Sequence, residues 1–233
     1  MNNTPEFSDD KMLARLLYRD GLMLIVDKPP GLPVHAGPKG GPSLEDYFNA
    51  LRFGLPEPPH LAHRLDRDTS GCLVLGRQRK GLQKLGKLFE AGNIKKTYWA
   101  IVTGTMPAQS GVIDMPLVKV KMPKGWTMTP AKEGDADSQT AVTDYKILKN
   151  FDNGMTWLEL SPRTGRTHQL RVHLQALGCP IMGDWLYGPS EARGEFPLLH
   201  LHARSIEIPL YPKKDPIKVE APPPAHIAKI IGV

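Results

Sequence analysis

Apolar and polar residues alternate along several short segments of the chain, which is the period of a half-buried β-strand. Apolar residues in other segments recur at the spacing of one helix face. Because the strands outnumber the helices and several follow one another, we expect an α+β fold with a largely antiparallel sheet. The predicted strands are 21–27, 72–77, 97–103, 112–114, 140–148, 155–161 and 204–209, and the predicted helices are 43–52, 79–91 and 167–177.

Two stretches lack a regular apolar pattern. Residues 121–138 are polar and rich in turn formers, which predicts a mobile surface loop. The Pro-rich tail that ends in "HIAKIIGV" predicts an extended arm followed by a short helix. The 233 residues contain no repeat or low-complexity linker, so we expect one domain over 1–233.

Composition narrows the class of protein. The formal net charge is +6, and this excess favours a polyanionic partner without proving one. No apolar run is long enough to cross a bilayer, and the N-terminus lacks the layout of a signal peptide, so we expect a cytoplasmic protein with no membrane partner. Lys80, Lys84 and Lys87 recur on one face of the predicted helix 79–91. That face is either solvated or in contact with nucleic-acid phosphates.

The segment "HRLDRDTSG" (63–71) has three competing interpretations. It is typical of a salt-bridged turn that precedes a strand. "DRDTS" also resembles the D-x-D-x-T spelling of Mg²⁺-dependent phosphohydrolases, but three prolines in "LPEPPHLA" argue against the buried parallel strand that must precede that site. Third, arginine neighbours would hold one carboxylate ionised as a nucleophile, base or electrostatic stabiliser, and would attract phosphates.

A second dense segment, "SPRTGRTHQLRVHLQALGCPIMGDWLYG" (161–188), runs from a strand into the predicted helix. Arg166 lies just before that helix, where exposed N–H groups favour anions. Arg171 lies at the edge of the apolar stripe, where a carboxylate would allow its burial. His168 and His173 are five residues apart and do not share a helix face, so we predict no metal site. Tyr98, on the strand "KKTYWAIVTG" (95–104), is a core residue or a stacking surface for a nucleobase.

These segments, in this order, resemble the RluA-type pseudouridine synthases. The resemblance covers about residues 18–220 and is carried by "KPPGLPVH" (28–35), "HRLDRDTSG" (63–71), "KKTYWAIVTG" (95–104), "TGRTHQLRVH" (164–173), "GCPIMGDWLYG" (178–188) and "LHLHA" (199–203). It implies a bifurcated, largely antiparallel mixed sheet with flanking helices. Some members carry an N-terminal S4 domain, for which the extension 1–17 is too short.

The resemblance implies a role for each matching residue. Asp66 matches the catalytic aspartate, and Arg64 matches the arginine that fills the space left by the flipped nucleotide. Tyr98 matches the tyrosine that packs on uracil, and Arg171 matches the basic residue that pairs with the catalytic carboxylate. Leu201 matches the apolar residue that lines the base pocket.

The implied activity is isomerisation of specific uridines in structured ribosomal or transfer RNA to pseudouridine, by base flipping and without a cofactor or metal. We expect Arg67, Arg166 and His168 to contact the RNA and the enzyme to be a monomer. Two other classes stay open on the residues alone: a non-catalytic RNA-binding module and the Mg²⁺-dependent phosphohydrolase. Target choice is expected to depend on the catalytic domain and its loops, including 119–138.

Overall fold

The computed structural model describes residues 7–37, 40–123, 125–189 and 196–233. In chain order the elements are α1 (Asp9–Leu13), β1 (Leu16–Arg19), β2 (Met23–Lys28), the 3₁₀ helix η1 (Leu44–Leu51), β3 (His60–Leu61), β4 (Ser70–Gly76), α2 (Gln78–Glu90), β5 (Lys95–Thr103), β6 (Ser110–Asp114), β7 (Leu117–Met122), β8 (Gly125–Pro130), β9 (Val142–Asn150), β10 (Met155–Pro162), α3 (Gln169–Ala176), β11 (Leu201–Ile208), β12 (Ile217–Glu220) and α4 (Ala225–Ile231).

The chain divides into two compact units. The first comprises the residues up to Lys96 together with His202–Pro224, and the second comprises Thr97–Leu201 together with Ala225–Val233. The expected single domain over 1–233 and the extension 1–17 stay predictions.

The first unit is built around β4, whose seven residues are all buried. β4 lies between β2, which is antiparallel to it, and β11, which is parallel to it. A strand buried on both faces needs a continuous apolar run, which explains why "CLVLG" does not alternate. α2 packs on β4, and its Gly81 lies so close to the carbonyl oxygen of Leu22 that a Cβ there would stand 2.1 Å from that oxygen.

The second unit contains the antiparallel strands β5, β10, β9 and β6 in that order, and β7 and β8 form a separate hairpin. Alternation along β5 sorts its side chains as expected. Tyr98, Ala100 and Val102 pack in one apolar cluster, and Trp99 and Ile101 pack in another that α4 covers. The α+β class, with a mixed but mostly antiparallel sheet, is confirmed.

The loop predicted at 121–138 is wrong for residues 121–122 and 125–130, which belong to the hairpin of β7 and β8, where Leu117 and Met128 are buried. Residues 131–138 form turns without a helix or strand, as predicted. Lysines, prolines and glycines dominate the composition of this region, and Val120 and Met122 are exposed like the lysines between them. The helix predicted to start at 167 begins at Gln169, with His168 as its N-cap in the left-handed region at φ +54°.

Several short elements were not predicted, namely α1, β1, β3 and β12. Each has at most five residues, which is too few to show a period. The short helix expected in the tail is confirmed as α4. Within the described part of the chain, no helix has both the length and the apolar character needed to span a membrane.

The substitution Gly71→Ala tests the parallel contact between β4 and β11. Gly71 has φ +105°, and a Cβ there would stand 2.3 Å from the backbone oxygen of Ala203. We expect the free energy of unfolding to fall by more than about 3 kcal/mol, measured from the urea midpoint. Gly92→Ala is the matched control, because Gly92 also has positive φ but open space around it, and should cost about 1 kcal/mol. Equal losses in the two variants would contradict a tight contact.

Candidate active site

The residues singled out by the sequence are divided between the two units. Arg64, Asp66 and Arg67 lie in the first unit, in the segment between β3 and β4. The second unit contains Tyr98, Arg166, His168, Arg171 and Leu201.

Asp66 lies in a tight turn at the entrance to β4. The N–H of Thr69 donates to the carbonyl of Asp66 at 3.2 Å, which places Arg67 and Asp68 at the tip of the turn. Asp66 is half-buried and Arg64 is exposed. A carboxylate in this setting is accessible to a substrate while its backbone is fixed.

Lys28, at the end of β2, holds this turn. Its side chain is fully buried, and Nζ donates to the carbonyls of Pro29 (2.7 Å), Leu32 (2.8 Å) and Arg67 (2.8 Å). Burial lowers the pKa of Lys28 to about 7, while the charges of Asp68 and Asp66 act in the opposite direction. All three carbonyls are satisfied only when the amine carries its third proton. Lys28 therefore joins the turn after β2 to the turn that presents Asp66.

Arg67 strengthens the same connection. Its carbonyl also accepts from the N–H of Gly31 (3.0 Å), and its Nε donates to the carbonyl of Gly31 (3.0 Å). Arg67 is thus a structural partner of the neighbouring turn. Its expected contact with RNA stays a prediction, and its side chain is 65% exposed.

Buried histidines fix the chain on both sides of the turn. The Nε2 of His63 accepts from the N–H of Val74 (3.0 Å), and burial lowers the pKa of His63 to about 3, so its ring is neutral. Beyond the turn, Ser70 Oγ lies 2.9 Å from Nδ1 of His202, whose Nε2 lies 3.2 Å from the carbonyl of Ala221. Since Nε2–H must donate to that carbonyl, Nδ1 accepts from the Ser70 hydroxyl.

In the second unit, Arg171 forms a buried ion pair with Asp184. Nε and Nη2 donate to the two carboxylate oxygens, each at 2.7 Å, and the side chains are 4% and 1% exposed. One oxygen of Asp184 also accepts the N–H groups of Leu186 and Tyr187. Removal of one partner from such a pair costs about 3–5 kcal/mol. The expected burial of Arg171 beside a carboxylate is correct, and Asp184 was not predicted as that carboxylate. The pairing of Arg171 with Asp66 stays a prediction.

Tyr98 and Leu201 are brought together in one apolar cluster. Leu201 is buried within it, and Tyr98, which is half-buried, packs against it. The cluster also contains Leu170 and Leu174 from α3, the helix that bears Arg171. An aromatic ring at the edge of such a cluster is suited to contact a planar base.

The turn before α3 is organised by Gln169. Its Oε1 accepts from Thr164 Oγ1 (2.7 Å) and from the N–H of Arg166 (3.0 Å), and its Nε2 donates to the carbonyl of Val142 (3.0 Å). Arg166 is exposed, and its Nε donates to the carbonyl of Thr140. Its expected contact with RNA stays a prediction.

His168 connects α3 to the β7–β8 hairpin. Its Nδ1 lies 2.7 Å from the hydroxyl of Tyr187, which also accepts the N–H of Met128 at 3.2 Å. The His168 ring stacks on Trp126, over which the Nζ of Lys119 lies at 4.4 Å. The guanidinium of Arg171 in turn lies over the ring of Tyr187, with the guanidinium carbon 5.0 Å from the centroid of that ring. His168 therefore has a structural role in addition to the predicted contact with RNA.

Four residues of these networks were not assigned a role from the sequence: Lys28, Asp184, Tyr187 and His202. All four lie inside the segments that carry the resemblance, "KPPGLPVH", "GCPIMGDWLYG" and "LHLHA". A lysine after an apolar strand and an aspartate beside a tryptophan give no period or spacing that marks burial. The signal in the sequence that could have pointed to a role for these residues was their position inside the dense motifs.

Comparison with known proteins supports one family. The family model described as RNA pseudouridylate synthase matches residues 22–176. An RNA pseudouridine synthase of Zymomonas mobilis is 45% identical over 91% of this chain and 95% of its own length. The mitochondrial RNA pseudouridine synthase 4 of Arabidopsis thaliana is 33% identical over 91% of this chain, which spans 58% of that protein. The solved structure of human RNA pseudouridylate synthase domain containing 4 has a TM-score of 0.81 at 30% identity, over 96% of this chain and 94% of that one.

The substitution Lys28→Met tests the clamp on the Asp66 turn. It removes the donor from three carbonyls, so we expect amide hydrogen exchange in 29–32 and 66–70 to accelerate roughly tenfold or more. Exchange is read by mass spectrometry of peptides that cover the two turns. Lys95→Met makes the same chemical change at an exposed lysine of the same unit and should leave both turns protected. Unchanged exchange in Lys28→Met would show that other bonds hold the turn.

The substitution Tyr187→Phe tests the attachment of the hairpin. It deletes the hydroxyl that binds His168 and Met128, so the hairpin should open more often, and trypsin should cleave at exposed Lys119 and Lys121 roughly tenfold faster. Tyr145→Phe, whose hydroxyl lies against Gly111, is the control in the same unit. A cleavage rate equal to that of the control would rule out an anchoring role for the Tyr187 hydroxyl.

Proposed function

Because this chain belongs to the RluA-type family of RNA pseudouridine synthases, isomerases that act on uridine in RNA, we propose that it modifies specific uridines of structured ribosomal or transfer RNA. The observation that carries the site assignment is the turn that presents a half-buried Asp66 and is fixed by Lys28. A carboxylate fixed in this way is suited to act on one ribose carbon, because reacting groups gain rate when they are held in the right geometry.

The reaction breaks the N-glycosidic bond, turns the uracil, and forms a C–C bond from ring carbon 5 to the same ribose carbon. It needs no net oxidation and no water, so we propose that no cofactor or metal takes part. Asp66 acts on the ribose, either by adding to the anomeric carbon or by removing the neighbouring 2′ proton. We propose that Arg171, oriented by Asp184, pairs with Asp66 in the active site.

The substrate uridine must leave its stack before it reaches Asp66, at a cost of a few kcal/mol. We propose that Arg64 fills the vacated space and that Tyr98 and Leu201 hold the uracil. Arg67, Arg166 and His168 contact the surrounding RNA, where phosphate contacts offset the cost of flipping. Residues 119–138 contribute to target choice. We further propose a cytoplasmic monomer, while several relatives carry "mitochondrial" in their names.

The two other interpretations of the sequence are disfavoured. Membership of an isomerase family argues against a non-catalytic RNA-binding module. A D-x-D phosphohydrolase needs a buried parallel strand before its aspartates. The strand that precedes Asp66 is β3, which has two residues and pairs antiparallel with β4.

The substitution Asp66→Asn tests the proposed function. It keeps the shape of the side chain and removes its charge, so RNA binding should persist while pseudouridine formation falls at least about 1,000-fold. The assay is carbodiimide labelling of total RNA from a strain that lacks the gene, before and after incubation with each purified variant.

Asp68→Asn is the matched control, because it alters the neighbouring carboxylate of the same turn. A synthase needs Asp66 alone and should keep most of its activity in Asp68→Asn, whereas a Mg²⁺-dependent phosphohydrolase needs both carboxylates. Appreciable pseudouridine made by Asp66→Asn would refute the assignment. The positions labelled with the wild-type enzyme identify the target uridines.

A further inference from the structure

The positive charge of the chain is concentrated in one segment. Residues 77–96 contain seven lysines and arginines and one acidic residue, Glu90, for a formal charge of +6. The whole chain also carries +6, so all other residues together are neutral. This segment consists of α2 with the residues at each end of it.

Three of the seven basic residues have roles inside the first unit. Arg77 donates to the carbonyls of Asp20 (2.6 Å) and Arg52 (3.2 Å), and Lys95 pairs with Glu207 at 3.0 Å. Lys96 is largely buried, and this burial lowers its pKa. The other four form what we call the α2 basic face: Arg79, Lys80, Lys84 and Lys87. Three of the four are exposed and Lys84 is half-buried.

The α2 basic face has no compensating charge within the described residues. None of its four side chains forms an ion pair with a carboxylate there. Lys80 and Lys84 are four residues apart and Lys84 and Lys87 are three apart, spacings at which like charges destabilise a helix by a few tenths of a kcal/mol each. Arg79 and Lys80 also lie near the positive end of the helix dipole, in a first turn without an acidic residue. Of the four, only Lys87, in the last turn, lies where the helix dipole favours a positive charge.

Gly86 also has no structural explanation. Gly81, in the same helix, is required by its contact with Leu22, but a Cβ at Gly86 would meet no atom within 4 Å. A glycine in a helix interior costs about 1 kcal/mol relative to alanine. Here it leaves the outer backbone of α2 open to close approach by another molecule.

The face adjoins the segment that bears Asp66. α2 packs on β3 and β4, the strands on either side of that segment. The ring of Phe89 in α2 stacks on His63, three residues before Asp66, with centroids 4.6 Å apart. An RNA whose uridine reaches Asp66 therefore has neighbouring nucleotides within reach of α2.

We propose that the α2 basic face binds the phosphate backbone of the RNA substrate at nucleotides that flank the modified uridine, an inference that rests on the proposed function. A membrane surface fits less well, because a helix that lies on a bilayer exposes apolar side chains beside its lysines. The apolar side chains of α2, among them Leu85, Leu88 and Phe89, pack into the first unit instead.

The test compares two triple variants of the full chain that remove the same charge. K80Q/K84Q/K87Q neutralises the face, and K146Q/K213Q/K229Q neutralises three exposed lysines elsewhere. Gln and Lys have similar helix propensities and the control lysines are exposed, so both variants should fold, which thermal unfolding checks. The substrate is total RNA from a strain that lacks the gene, assayed by carbodiimide labelling at about 50 and about 200 mM KCl. Filter retention of the same RNA measures binding directly.

We expect K80Q/K84Q/K87Q to raise the KM for RNA roughly tenfold or more at the lower salt concentration, with kcat at saturating RNA retained. The slope of log affinity against log salt concentration should become shallower by about 2–3, the contribution of three phosphate contacts. The scattered control should show wild-type kinetics and slope. A KM and slope for the α2 variant that match the control would overturn the proposal.

Two further outcomes are decisive. Loss of binding to phosphatidylserine-containing vesicles in the α2 variant, with RNA kinetics intact, would assign the face to a membrane and overturn the proposal. A wild-type protein that binds the RNA but forms no pseudouridine would refute the proposed function instead. The salt slopes from filter retention would still decide whether the α2 basic face binds RNA.

Discussion

The buried ammonium of Lys28 is the interaction on which the arrangement around Asp66 depends. An isolated charge inside a protein is costly, and three backbone carbonyls offset that cost here. Two of these carbonyls belong to the turn after β2 and the third belongs to the turn of Asp66. The same ammonium group therefore donates to all three carbonyls and connects two turns that are distant in sequence. The backbone that carries the Asp66 carboxylate is thereby held in place.

In the second unit, the buried charged group that positions another residue is an anion, Asp184, rather than a cation. Asp184 is buried, and it orients Arg171 through two hydrogen bonds while it accepts two backbone N–H groups of its own loop. Tyr187, in that loop, contacts both the guanidinium and the hairpin. In both units, then, one buried ionic group connects a functional residue to a loop. The side chains to which we assign chemistry are positioned by groups that do not themselves need to touch a substrate.

The sequence allowed the long strands and helices to be predicted, because β4 is a continuous apolar run and β5, β9, β10, α2 and α3 each contain enough residues to show a period. It also located Asp66 and Arg171 in dense polar motifs. It failed at β7 and β8, because Val120 and Met122 of β7 are exposed like the lysines between them, so the alternation marks no buried face. It did not reveal Lys28 or Asp184, because burial of a charge depends on partners from other segments, and no local pattern specifies them. The left-handed backbone of His168, at φ +54°, was likewise not predicted.

The parallel pairing of β4 with β11 has a consequence for synthesis of the protein. Ser70 and Gly71 pair with His202 and Ala203, so the strand beside the Asp66 turn is supplied by a stretch made more than a hundred residues later. A chain emerging from the ribosome has β2, β3 and β4 early but cannot complete the first unit until His202–Pro224 has been translated. The turn that presents Asp66 thus lacks its β11 neighbour until that later stretch has been made, so its surroundings are completed well after the turn itself.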